Sequence, residues 1–203
     1  STYSRILLNG HSKKNKRLQH VERINMKISK YLIFASLLFA SPAISTELDS
    51  QKVGTWDLTW SPESIFMTSA NSGSNVLSGS LTVGNARGNI EFCGEKFYIK
   101  STGNLINDVM CHVKLDDGSK ILVDYNFVIV PAEGFWDKLS AGEVMTAPDN
   151  GMAYWYATMR MQTVSEELGW INNNVFLLKG RELQGPKEGS RGIASYDIYT
   201  FNN

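Results

Sequence analysis

Between residues 120 and 130 every second side chain is apolar: Ile121, Val123, Tyr125, Phe127 and Ile129 fall in one row, Asp124 and Asn126 in the other. A period of two marks a strand with one dry and one wet face. The pattern recurs in 107–115, where Val109, Cys111, Val113 and Leu115 oppose Asp108, Met110, His112 and Lys114. It recurs again in 153–163, where Ala153, Trp155, Ala157, Met159 and Met161 oppose Tyr154, Tyr156, Thr158, Arg160 and Gln162. Runs rich in Val, Ile, Phe, Tyr and Thr at 52–60, 64–69, 75–83, 89–93, 96–101, 174–179 and 193–201 complete the set of expected strands. Turn residues separate them at Asn71, Gly84, Ser101 and above all Asp116-Asp117-Gly118, a strong hairpin signal. Helical pattern is confined to 134–143 and 165–170, one or two short turns in connections. About eight to ten short strands in one domain make an all-β sandwich or barrel, and a closed or nearly closed antiparallel β-barrel is the expected architecture.

The domain is expected to span residues 46–203. Upstream, Met26 opens a stretch with the three parts of a secretory signal peptide: Lys27 and Lys30, the apolar run Tyr31 to Ala40, and Ala43-Ile44-Ser45 for cleavage. The apolar run is about half the length a membrane-spanning helix needs, so no membrane span is expected. Residues 26–45 are thus read as a signal peptide and 1–25 as an upstream leader outside the native protein. The expected location is export, to the periplasm or the medium. Residues 46–203 carry twelve Lys/Arg and nineteen Asp/Glu, a formal charge of −7. Such a surface repels phosphate backbones, and nucleic acid is not an expected partner. Cys93 and Cys111 are the cysteines of the chain, and in an oxidising compartment they are expected to form a disulfide between neighbouring strands. With His112 as the lone histidine beyond residue 45, neither a metal site nor a cofactor is expected.

Two resemblances follow. Gly54-Thr55-Trp56 at the start of the first strand resembles the Gly-x-Trp triplet of lipocalins, with Asp124-Tyr125 and Arg160 as later landmarks. A longer series runs from Gly103 to Phe201: Gly103, Asp108, the Asp116-Asp117-Gly118 hairpin, Tyr154 to Thr163 with Arg160, Trp170-Ile171-Asn172, Phe176 to Gly180, and Tyr196 to Tyr199. In order and spacing it resembles a family of small bacterial and fungal barrel proteins of uncharacterised function. That resemblance implies a calycin-like or allene-oxide-cyclase-like barrel with a central cavity, and no reaction. The chain departs from the family pattern at Tyr156, Met159 and Gln162, where Arg, Pro and an acidic residue are usual.

The functional expectation is a binding barrel for a small apolar or amphipathic, or anionic, ligand. Tyr154, Tyr156, Thr158 and Arg160 are the candidate ligand-binding row, because tyrosine rings can cover an apolar body while a guanidinium holds a carboxylate. A row of aromatic and polar side chains with one cation suits either a wet exterior or a ligand cavity. Asp108 and Asp124 are the candidate carboxylates. A cofactor-free isomerase or cyclase would use Arg160, Tyr156 and one of those carboxylates, and a non-catalytic interaction protein would use the exterior. His112 is expected to be exposed, and Trp170 and Asn172 to fix a loop.

Overall fold

A computed structural model describes residues 49–201, and the leader and signal-peptide readings lie outside them. Within the described residues eleven strands form in chain order: β1 (Ser50–Trp60), β2 (Phe66–Ser69), β3 (Ser72–Val76), β4 (Ser78–Val83), β5 (Ala86–Ile99), β6 (Leu105–Leu115), β7 (Lys120–Pro131), β8 (Val144–Met145), β9 (Met152–Thr163), β10 (Phe176–Gln184) and β11 (Gly192–Phe201). Among the described residues one helix, α1 (Phe135–Ala141), sits between β7 and β8, and 3-10 turns span Pro62–Ser64 and Gly169–Asn173. Eight strands close antiparallel in the order β1-β4-β5-β6-β7-β9-β10-β11 and back to β1; β2 and β3 extend from β5, and β8 pairs with β10.

The alternating rows of β6 and β7 take the faces their sequence assigns. Val109, Cys111, Val113 and Leu115 are buried, as are Ile121, Val123, Tyr125 and Ile129. Leu115 and Ser119 close the β6–β7 hairpin, and Gly118 at φ 88° supplies the left-handed residue that the Asp-Asp-Gly turn requires. The Asp117 carboxylate accepts the Ser119 backbone N–H at 2.8 Å and is held below its usual range by that contact and the Ser119 hydroxyl. Across the core, four aromatic rings meet edge to face: Trp56 with Tyr125 at 6.2 Å, Tyr125 with Tyr196 at 6.1 Å, and Tyr196 with Trp155 at 4.6 Å. Each such pair contributes about 0.5–1.5 kcal/mol beyond the area it buries.

Three expected elements differ, each through pairing irregularities that a single strand does not reveal. The runs 89–93 and 96–101 are one strand, β5, with a bulge at Glu91 where Ile90 faces Val113 and Phe92 faces His112. The run 75–83 divides into β3 and β4 at Leu77, since β5 pairs with both in turn. In β9, Ala153 is exposed rather than core, because the ladder slips between Val130 and Pro131 and turns Met152 inward instead. The helix expected at 134–143 is α1, and the turn expected at 165–170 forms a little later, at Gly169–Asn173.

Cys93 and Cys111 are directly paired across β5 and β6, and their sulfurs are bonded. Asn172 clamps the end of β9: its Oδ1 accepts the Thr163 N–H at 2.8 Å and its Nδ2 donates to the Thr163 carbonyl at 2.9 Å.

Candidate functional site

The inward rows do not fill the barrel. A cavity of about 250 Å³ remains, walled by Leu58, Phe97, Leu105, Ile129, Trp155 and Leu183 among others. Ile65, Met67 and Trp136 also line it and are 36%, 51% and 44% exposed, so β2, the segment before it and α1 form its rim.

The polar side chains of this apolar wall gather at one place. Glu95 follows Cys93 on the inward row of β5 and faces the cavity. Asn107 of β6 donates from Nδ2 to Glu95 Oε1 at 2.8 Å. The Asn107 amide is oriented by its other end, where Oδ1 accepts the Phe127 N–H at 2.7 Å. Asn75, opposite Glu95 on β3, accepts the Ser64 hydroxyl at 2.6 Å, which turns its amide group toward the carboxyl. Burial in this apolar setting raises the Glu95 carboxyl above its ordinary value, and the two asparagine contacts oppose that rise without cancelling it.

Tyr125 from β7 and Tyr196 from β11 complete the cluster. Burial is the main cause that drives both phenols upward, and the nearby Glu95 charge adds to it. They are therefore neutral hydroxyls at physiological pH. Trp155 Nε1 donates to the Tyr196 hydroxyl oxygen at 3.2 Å. Trp56 Nε1, fully buried beside Tyr125, has no hydrogen-bond partner among the described residues. The arrangement can hold an uncharged polar group by hydrogen bonds, or move a proton to or from it at Glu95.

The candidate row of Tyr154, Tyr156, Thr158 and Arg160 lies on the opposite, outer face of β9, and all four side chains are exposed. Of the two settings open to such a row, the structure selects the wet exterior. Asp108 and Asp124 are likewise outside. These six do not line the cavity, because their row parity opposes that of the buried Trp155, Met159 and Met161. The fold does bring Asp108, Asp124, Thr158 and Arg160 together in a depression on the outer wall, where Asp124 and Arg160 are cross-strand partners and Thr158 Oγ1 donates to Asn126 Oδ1 at 2.7 Å. Tyr154 and Tyr156 contact each other with ring centroids 4.8 Å apart. His112 is exposed against Phe92. Among the described residues no group of three His, Cys, Asp or Glu side chains could hold a metal ion.

Glu95 escapes the sequence pattern because 94–95 fall between two short strand runs, and its partners Asn75, Asn107, Tyr125 and Tyr196 lie on four other strands with no spacing that links them. One signal was present: Cys93, Glu95, Phe97 and Ile99 share a parity, and a carboxylate in an otherwise apolar row is out of place unless it serves something.

The fold is similar to a conserved protein of unknown function from Rhodopseudomonas palustris, at 15% identity and a TM-score of 0.60, covering 78% of this chain and 100% of that one. A β-barrel-like protein from Acinetobacter baumannii matches at 17% identity and TM-score 0.54, covering 78% and 99%. A protein of Penicillium herquei described as an enzyme matches at 16% identity and TM-score 0.50, covering 79% and 98%. No curated protein matches the chain. The family described as "protein of unknown function (DUF3237)" matches residues 52–201, nearly the whole barrel and all of the series that begins at Gly103. The chain therefore belongs to the DUF3237 family of proteins of unknown function.

Proposed function

We propose that this chain is an exported binding barrel that takes a small, mainly apolar molecule into its cavity. The observation that carries the reading is the cavity itself: about 250 Å³, walled by apolar and aromatic side chains, with polar atoms concentrated around Glu95. For scale, a cavity of roughly 150 Å³ lined by Leu, Ile and Phe binds benzene, and a closed barrel of about eight strands has room for one small ligand. Export is supported by the signal-peptide pattern at 26–45 and by the Cys93–Cys111 pair, since disulfides persist in oxidising compartments.

Native mass spectrometry of protein recovered from its export compartment tests both parts. A retained small molecule and a mature N-terminus between Ile44 and Glu47 are the expected results. A mature chain that still carries Met26 overturns export. Failure to retain any molecule, together with unchanged tryptophan emission on titration with small aromatic compounds, overturns cavity binding.

A second reading has its own support. Glu95, in an apolar cavity with two tyrosine hydroxyls, meets the requirement of a cofactor-free acid–base enzyme, a carboxyl shifted toward neutral pH. One of the fold neighbours is described as an enzyme. In that reading the acid–base residue is Glu95 rather than Asp108 or Asp124. Arg160 and the tyrosines beside it would then serve at most a separate, outer-face contact with an anionic group.

A further inference from the structure

Resting on the cavity-binding reading, we propose that the site selects an uncharged molecule with a carbonyl-type acceptor, which receives hydrogen bonds from Glu95 and Tyr196, and that it rejects the corresponding carboxylate.

Neutral side chains surround Glu95. From β3 and β6 come Asn75 and Asn107, both neutral. From β7 and β11 come the hydroxyls of Tyr125 and Tyr196. The other elements at the cavity present Leu58 and Trp60 of β1, Trp136 of α1 and Leu183 of β10, none of which titrates. Among the described residues no Lys, Arg, His or second carboxylate lines the cavity. An ionised carboxylate there has no counter-charge, and a buried charge without one favours its neutral form.

A neutral Glu95 is a donor as well as an acceptor. Asn107 donates to Oε1 and Asn75 also turns its amide to the carboxyl, so both asparagines serve as donors and the acid O–H remains for the cavity that Glu95 lines. Tyr196 is in the same position. Its oxygen accepts the indole N–H of Trp155, and its own proton has no acceptor among the described residues. The O–H groups of Glu95 and Tyr196, from β5 and β11, therefore address one apolar space. Polar groups left unpaired in such a space are costly, so the ligand that fits must bring an acceptor. A carboxylate brings one too, but it adds a second negative charge beside Glu95 with no cation to balance it.

The test uses three probes of nearly one size and shape: ethylbenzene with no acceptor, acetophenone with a carbonyl, and benzoate with a charge. Tryptophan emission or calorimetry on the purified protein reads their affinities from about pH 5 to about pH 9. Acetophenone is expected to bind at low pH and to weaken by about three- to tenfold as Glu95 ionises, the size of one neutral hydrogen bond. Ethylbenzene should show no such loss, and benzoate should not bind. Glu95→Gln keeps a donor of the same shape, so acetophenone should bind it with no pH dependence. Tyr196→Phe should weaken acetophenone and leave ethylbenzene unchanged.

If none of the probes binds, the cavity-binding reading fails and this inference with it. If ethylbenzene and acetophenone bind alike at every pH, or benzoate binds as well as acetophenone, the inference fails alone and cavity binding stands. Persistence of the pH dependence in Glu95→Gln also overturns it.

Discussion

Gly180 of β10 lies against Trp155 of β9, and a Cβ built on Gly180 would fall 2.0 Å from the indole ring. The ring occupies the space that any side chain at 180 would need. The contact matters beyond packing, because Trp155 walls the cavity and its N–H holds the Tyr196 hydroxyl. Gly180→Ala is expected to destabilise the barrel by about 1–3 kcal/mol through overpacking, read from urea denaturation, and to shift tryptophan emission. Gly169→Ala is the control, since nothing lies within 4 Å of its added Cβ and its φ is not in the left-handed region. Equal stability losses in the two variants would sink the packing argument.

Glu95 gives the barrel a pH-dependent stability of predictable sign. Its folded value lies above the ordinary 4.5, so the folded protein keeps a proton that the unfolded chain releases. The stabilisation this provides is full below the ordinary value and is lost as pH rises through the folded one. Glu95→Gln has no proton to lose. Its thermal midpoint relative to the parent protein should therefore climb as pH rises above the ordinary 4.5 and level off once Glu95 is ionised in the folded protein. A constant offset across that range would show that Glu95 titrates normally.

The Cys93–Cys111 bond closes a loop of separation 18 between adjacent strands. In the chain-entropy account, a loop of this size is worth roughly 3 kcal/mol of stability. Denaturation with and without reductant should differ by about that amount. Two reactive thiols in unreduced, denatured protein taken from its native compartment would remove the bond from consideration.

Arg160 lies on the outer face, and among the described residues it forms no ion pair within 4.0 Å. Arg160→Met is expected to change stability by no more than about 1 kcal/mol, the range of exposed charge pairs. Binding of a cavity probe should be unaltered, because the side chain belongs to the opposite row of β9. A fall in cavity affinity would mean that the outer face and the interior communicate.

The surface network of Lys52, Asp57, Arg181 and Asp197 offers a similar contrast, with Asp197 as its most buried member. Arg181 reaches Asp57 at 2.6 Å and Asp197 at 3.4 Å, and Lys52 reaches Asp197 at 2.7 Å. Arg181→Ala should cost about 1 kcal/mol or less, and less still at high salt. A larger loss, measured by chemical denaturation, would assign the network a structural role through the largely buried Asp197.

Much of the barrel is written locally. Side chains two apart on a strand share a face, so the dry rows of 107–115 and 121–129 and the disulfide between neighbouring strands could be read from the chain alone. Turn chemistry is equally local, which is why Asp116-Asp117-Gly118 and Asn172 do what their residue types imply. The candidate site was not local. The bulge at Glu91 exists only because β5 pairs with β6, and it switches the inward row from even to odd positions, carrying Glu95 to the cavity. A similar slip beside Val130 turned Ala153 out. Whether the row from Tyr154 to Arg160 faced solvent or a cavity also depended on closure: a strand's sequence gives its alternation, but only the curvature of the closed sheet decides which face becomes the inside. Glu95, Asn107, Tyr125 and Tyr196 come from four strands up to 101 positions apart, and it is the closed ladder, not any spacing along the chain, that sets them around one space.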